Sequence, residues 1–499
     1  MPPAIATIVY SILILGLFWL DRDQDQDSQT SKALWIPVVW VSLACSRSPG
    51  QWLQMNAVPS PDQVLEGSPF DRLGYMLLLA AGLIVLVTRG QRVGKFLRAN
   101  SVVLLFFLYC AVSFLWSDYP DVAFKRWTKA LGDVVMVLIV LTDCKPTAAL
   151  KRFLARTAYV LIPLSILFIK YYPSLGRGYG IWQGEVGYTG VTTNKNTLGV
   201  ICLIFGLGAM WRFLTTYGDR KSEGRTRKLI ALGIILSMVL YLFWIANSMT
   251  SLGSFLMASA LFLAANSRVA IRRPAVVHLL IALMLVISSS IVFLGVSPSV
   301  LETVGRNPTL TDRTEVWGVL LTLVRNPWLG TGFESFWLGP RLEKMWSVYW
   351  WHPNEAHNGY LEIFLNLGWM GVAWLAVIIA TGYRRVFRVW RSNASIGSLL
   401  LAYFFMGLVY NFTEAAFFKM LAPAWIFFLF AITSVPPSSE HEIQSSARNL
   451  LQHPKTVACL QARPAVIEEV VQGRSMQALH SSRRPTVDRV VSQSKWSPR

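Results

Sequence analysis

Apolar runs punctuate the chain near residues 4–20, 33–46, 73–88, 101–116, 128–142, 158–172, 197–214, 229–247, 252–266, 275–296, 369–384, 396–412 and 421–436. Runs of this length read as bilayer-spanning helices, since only a helix satisfies its own backbone inside lipid. Several are short, so flanking residues must contribute or the membrane must thin locally. Basic loops recur between alternate runs, from Arg89 to Arg98, Lys145 to Arg156, Arg220 to Lys228, Arg268 to Arg273 and Arg384 to Arg391. The positive-inside rule puts these in the cytoplasm and puts 117–127, 173–196, 248–251, 297–368 and 413–420 outside. The pattern predicts an all-α, polytopic helical membrane protein with 12–13 transmembrane helices and one large extracytoplasmic loop. Four regions follow: transmembrane helices with short loops over 1–296, a periplasmic loop over 297–368, C-terminal transmembrane helices over 369–436, and a disordered basic cytoplasmic tail over 437–499. The first two runs leave two topologies. Thirteen spans put the N-terminus outside; twelve, with the second run interfacial, put both ends inside, and twelve is the reading preferred here.

Composition excludes a soluble protein: 54% of residues are hydrophobic, 15% are charged and the mean hydropathy is +0.45, too little charge for a water-facing shell. The net charge of +19 would suggest nucleic acid in a soluble chain. Here the cations sit in short loops between apolar runs, where they set topology and meet anionic headgroups. Membrane lipids, not nucleic acid, are the expected partners. Cys45, Cys110, Cys144, Cys202 and Cys459 form neither a disulfide framework nor a metal spacing. The first run lacks a basic flank and a small-residue cleavage site, so it reads as a retained span. There is no nucleotide-binding glycine loop, no DxD-like cluster and no HExxH, so neither ATP, a metal nor any other cofactor is expected.

Three segments resemble the O-antigen ligase and polysaccharide polymerase superfamily, most closely its exopolysaccharide-production branch. Thr189-Gly190-Val191-Thr192-Thr193-Asn194-Lys195-Asn196-Thr197-Leu198-Gly199 is similar to a Gly-x-x-x-His-Lys-Asn-x-x-Gly segment, with Asn194 in the His place. Asp312-Arg313-Thr314-Glu315-Val316-Trp317 and Asn326-Pro327-Trp328-Leu329-Gly330-Thr331-Gly332-Phe333 are similar to a Gly-Arg-x-x-x-Trp and Pro-x-x-Gly-x-Gly-Phe pair. Ala356-His357-Asn358-Gly359-Tyr360-Leu361-Glu362 is close to a His-Asn-x-Tyr-Leu signature. A weaker match is Ser117-Asp118-Tyr119-Pro120 followed by Lys125-Arg126-Trp127. The resemblance implies a GT-C-like membrane glycosyltransferase in the bacterial inner (plasma) membrane, with a periplasmic active site. It would polymerise polyprenyl-diphosphate-linked oligosaccharide repeat units into exopolysaccharide or O-antigen, without a metal, with a chain-length regulator as candidate partner. One alternative is an O-antigen ligase moving finished glycan to lipid A core. The turn Asn247-Ser248-Met249-Thr250-Ser251 lacks the Arg that such ligases often carry there. The other alternative, a small-solute (bicarbonate-type) transporter, is disfavoured by the scarcity of mid-span charge.

A lipid-diphosphate donor is already activated, so the enzyme has to neutralise the departing charge and deprotonate an acceptor hydroxyl. Arg binds phosphate oxygens bidentately and stays charged, which makes Arg313 the first candidate for the clamp. Arg126 and Lys195 come next, because both sit in outer loops against the usual charge bias. Arg306, Arg325 and Arg341 rank lower. His357 titrates near neutrality and lies at the membrane mouth, so it is the candidate base or acceptor-orienting group. Glu355 is the runner-up base and His352 a weaker one. Asn358 and Asn196 support, and Glu362 reads as structural. Asp133, inside a span, is expected to pair with Arg126 or Lys129. The loop aromatics Trp328, Phe333, Phe336, Trp337, Trp346, Tyr349, Trp350 and Trp351 read mainly as loop core or interfacial belt, with sugar stacking as the alternative.

Overall fold

The computed structural model describes residues 1–22, 30–53, 68–179, 186–221, 223–293 and 310–434, with the side chains of 179, 291–293 and 310–314 outside that set. The expectations for the tail at 437–499 and for Arg306 and Cys459 therefore lie outside the described residues. Every one of the thirteen apolar runs falls on a helix. In chain order these elements are α1 (Pro3–Leu20), α2 (Trp35–Ala44), α3 (Pro69–Thr88), α4 (Gly90–Ala99), α5 (Ser101–Val112), α6 (Pro120–Leu141) and α7 (Pro146–Tyr171). A two-stranded antiparallel hairpin follows, β1 (Arg177–Tyr179) and β2 (Val186–Tyr188). Then come α8 (Lys195–Gly218), α9 (Arg225–Ala246), α10 (Met249–Ala265), α11 (Ala275–Phe293), α12 (Leu310–Thr322), α13 (Pro340–Val348), α14 (Gly359–Ser392), α15 (Ala394–Tyr410) and α16 (Pro423–Thr433). Proline at the first turn opens α1, α3, α6, α7, α13 and α16, where its missing N–H is not needed. Asn194, Asn358 and Asn393 cap α8, α14 and α15 with their side-chain oxygens.

The fold is that of an all-α, multi-pass membrane protein. Among the described residues, length and apolarity alone qualify six helices as spans, α1, α3, α7, α8, α9 and α14, or seven if α4 and α5, bent by 85°, form one. That is fewer than the twelve or thirteen expected. The remaining apolar helices are 10–17 residues long, α11 counted over Ala275–Ser290, except α6, whose 22 residues carry Asp121, Lys125, Arg126, Lys129 and Asp133. Helices α7, α8, α15 and α16 make the centre; α15 and α16 bury most of their side chains and α7 and α8 more than half. Helices α1 and α3 lie outside them and leave Ile12, Leu15, Ile84 and Val87 uncovered, the surface a lipid solvent tolerates.

Hydrogen bonds at their ends tie the helices of the first two runs to the bundle. Thr7 Oγ1 lies 2.8 Å from the Tyr172 hydroxyl, while Asp21 receives Arg212 at 2.7 and 2.8 Å. These ties fix the two ends of α1 to opposite ends of the bundle. Likewise the Ser31 N–H donates to Asp143 at 3.3 Å just before α2, and Arg47, just after it, donates to the carbonyls of Leu175 and Thr192 at 2.5 and 3.2 Å. Helix α2 therefore traverses the bundle instead of lying at its surface. With its leading turn it covers Lys32–Ala44, about 20 Å at helical rise. The chain thus starts at the end of the bundle that carries the 310–358 segment.

That segment has its own apolar core of Val316, Leu320, Phe336, Trp337, Leu342, Met345, Ala356 and Leu365. Phe333, Phe336 and Trp337 are buried as loop-core residues, whereas Trp328 and Trp350 are exposed. The segment docks into a break in α14 at Gly368, which has φ +62°. The Trp369 and Met370 amides donate to the carbonyls of Pro327 and Trp328 at 2.9 and 3.1 Å, and the Gly332 amide to Asn366 O at 2.9 Å. A Cβ on Gly368 would run into the Trp328 backbone, and one on Gly330 (φ +69°) into that of Asn366. Gly368→Ala is expected to destabilise the protein by at least about 1–2 kcal/mol, the usual cost of a left-handed L-residue. Thermal unfolding in detergent checks this, and an unshifted melting curve would contradict the docking.

Candidate active site

Two chain segments meet at the loop end of the bundle: 353–358, leading into α14, and 411–422, between α15 and α16. Asn358 starts α14 by accepting from the amides of Tyr360 and Leu361, each at 3.0 Å, and its own amide reaches Phe412 O at 3.4 Å. The Gly359 amide donates to Asn411 O at 2.8 Å. Asn411 Oδ1 in turn accepts from the amides of Ala416 and Phe417 at 2.8 Å each and so shapes the second segment. Ala356 is held from both sides: its N–H donates to Glu362 at 2.9 Å and its carbonyl accepts from the Trp317 indole at 2.8 Å. Glu362, which also accepts from Trp337 at 2.7 Å, is structural as expected. Between these anchors His357 adopts φ +48°, a conformation an L-residue keeps only where its surroundings enforce it.

The His357 ring points its Nδ1 at two carboxylates, 3.1 Å from Glu355 Oε1 and 3.3 Å from Glu414 Oε2. Lys419 Nζ pairs with the second oxygen of Glu355. Asn196 Nδ2 donates to the second oxygen of Glu414 at 3.0 Å, and Asn196 Oδ1 accepts from Ser248 Oγ at 3.4 Å. Burial lowers the proton affinity of His357, but its bonds to Glu355 and Glu414 and their charges outweigh this and raise its pKa to about 9. Burial likewise pushes the Glu355 carboxyl up, but Lys419 and His357 hold it well below the usual range. Glu355 reverses the effect of burial on Lys419, whose pKa is raised. The sign follows: the imidazolium pairing stabilises the fold fully below the ordinary histidine value of 6.5 and is lost as pH rises through about 9. The donor atoms of Glu355, His357 and Glu414 lie within 4.8 Å of one another. Two carboxylates face one ammonium and one imidazolium, so the cluster is a charge-balanced ion-pair network in its own right.

The other expected residues divide. Arg126 Nη1 donates to Glu334 O at 2.5 Å, and the Glu334 carboxylate is within electrostatic reach of both Arg126 and Lys419. Lys195 is the exposed first residue of α8, next to Asn196. Arg313 lies on α12 four residues before Trp317, whose indole holds Ala356; the Arg313 side chain lies outside the described residues. Arg341 pairs with Asp118 at 2.7 Å and donates to the carbonyls of Ser335 and Phe336, a bracing role, and Arg325 is exposed. His352 stacks on Trp346 with ring centres 4.7 Å apart. The expected pairing of Asp133 with Arg126 or Lys129 is corrected. Its two oxygens accept from the Trp40 indole at 2.8 Å and the Leu421 amide at 2.9 Å, while Lys129 lies over the Tyr75 ring. A buried carboxylate here is satisfied by neutral donors, and it anchors the far end of the 411–422 segment.

Residues 196–376 match the family described as O-Antigen ligase. The chain is also 22% identical over 293 residues to the "Exopolysaccharide production protein ExoQ" of Rhizobium meliloti (strain 1021), a match covering 56% of this chain and 64% of the relative, less than two thirds of its length. Over residues 196–376 the chain is therefore similar to the O-antigen ligase family. The matched stretch takes in Asn196, Arg313, Glu355, His357 and Asn358 and stops short of Glu414 and Lys419. Those two were not singled out from the sequence. The one signal was a Glu and a Lys in a short outer loop, and nothing local ties that loop to a histidine 57 residues earlier.

Proposed function

We propose that this protein is a metal-independent glycosyltransferase of the O-antigen ligase and polymerase superfamily, of the polymerase type. It would join oligosaccharide repeat units carried on a polyprenyl diphosphate, at the periplasmic face of the bacterial inner membrane. The observation that carries this reading is the junction at Ala356. There the helix bearing Arg313 and the segment bearing His357 are bonded together at the loop end of the bundle. A guanidinium clamp for the departing diphosphate and an imidazole for the acceptor hydroxyl are what such a transfer needs. Asp133 lends a carrier no support, since it is buried and bonded to the Trp40 indole and the Leu421 amide, which tie it into the packing.

The family description favours one second reading, a ligase that moves finished glycan to an acceptor. Cells deleted for the gene discriminate between the two by the lipid-linked material they accumulate. The polymerase reading expects single repeat units on the carrier lipid. Long lipid-linked polymer would establish the ligase instead.

A further inference from the structure

We propose that Glu414 is a positioning residue for His357: it holds the Nδ1–H edge of the ring, so that Nε2 is the nitrogen offered to the acceptor hydroxyl. The proposal rests on the transferase reading and adds a residue from beyond the matched family stretch. Both near neighbours of Nδ1 are carboxylate oxygens, at 3.1 and 3.3 Å. Carboxylates only accept, so Nδ1 carries the proton and the remaining lone pair belongs to Nε2.

The two carboxylates are not equivalent. Glu355 shares itself with Lys419, whose ammonium drains its negative charge. Glu414 is buried, and the other partner of its carboxylate is the neutral amide of Asn196 at 3.0 Å. Asn196 is oriented by Ser248, which bonds its carbonyl oxygen. A relay thus runs from the turn before α10, through the first turn of α8, to the imidazole. The groups facing His357 are Glu355 from its own segment, Glu414 and, through Glu355, Lys419 from the 411–422 segment, and the Trp351 ring at 6.2 Å. Glu334 and Glu362 act on Lys419.

In the step this arrangement serves, the acceptor hydroxyl gives its proton to Nε2 as its oxygen bonds to the anomeric carbon. The bond from that carbon to the diphosphate breaks, and its electron pair leaves with the lipid diphosphate. The imidazolium then releases its proton to water. A ring held between two carboxylates is a strong base that is mostly protonated at neutral pH. Turnover should therefore climb with pH toward a midpoint near the His357 value of about 9.

Two measurements on the purified full-length protein test this. The first is kcat and KM between about pH 6 and pH 10, with a lipid-diphosphate-linked repeat unit as substrate. In Glu414→Gln the alkaline plateau of kcat should fall about ten- to a hundredfold and the midpoint should move down, with KM for the donor little changed and partial rescue by Glu414→Asp. The second is 15N-histidine spectroscopy, with His357 assigned by its loss in His357→Ala. It should report an Nδ1–H tautomer in the wild type and a lower midpoint in Glu414→Gln, whatever the substrate. A His357 midpoint and tautomer unchanged in Glu414→Gln overturn the proposal. The expected spectra with no elongation of the repeat unit overturn the transferase reading and leave the positioning role standing.

Discussion

Replacing His357 by Ala is expected to lower polymer formation by about 10²- to 10⁴-fold, the range a positioned general base supplies, with the protein still in the membrane. The effect should be on chemistry and not on folding, because the bonds that shape the surrounding segments come from other residues. Asn358 caps α14, Asn411 folds the 411–422 segment, and Glu362 with Trp317 holds Ala356. The left-handed backbone at His357 is no harder for Ala than for His. Losing the ring leaves Glu355 paired with Lys419, while Glu414 keeps the neutral Asn196 amide as its hydrogen-bond partner and loses its counter-charge. Polymer chain length in cells, with membrane content of the protein measured alongside, checks this. Normal chain length would defeat the assignment.

The second large effect is expected at Arg313. Arg313→Ala should cost about 10²- to 10³-fold in turnover, the loss typical of one preorganised group facing developing charge. Arg313→Lys should recover only part of it, because an ammonium is a point charge without the bidentate fork. The backbone argument is direct: Arg313 is one turn before Trp317 on α12, and Trp317 is bonded to the residue next to His357. The readout is turnover of the lipid-linked donor. Should Arg313→Ala retain wild-type turnover while Arg126→Ala loses it, the clamp belongs to α6, where Arg126 meets the Glu334 carbonyl.

Much of the architecture was legible in the chain because membrane helices announce themselves by local composition. Each apolar run became a helix, and the expected start of a run at 369 coincides with the break at Gly368. What local composition cannot carry is which ends touch. The flanks of the second run carry no charge bias, and only the bonds of Ser31 to Asp143 and of Arg47 to Leu175 show how that helix is tied along the bundle. Asp133 looked like half of a charge pair because Arg126 and Lys129 are its neighbours in sequence. Its partners, Trp40 and Leu421, come from 93 and 288 residues away. The site shows the same division. His357, Asn358, Glu355 and Asn196 stood in recognisable segments. Glu414 and Lys419 became visible only when α15 and α16 brought their loop against α14.

The account turns on a departing lipid diphosphate meeting the Arg313 and His357 end of the bundle. The most direct measurement supplies purified protein in lipid vesicles with a polyprenyl-diphosphate-linked repeat unit. It follows the length of the lipid-linked glycan together with release of free polyprenyl diphosphate. The account predicts a ladder of lengthened glycan with one carrier released per linkage formed, both lost in His357→Ala and in Arg313→Ala. Intact donor, or a ladder formed equally well by the two variants, would contradict it.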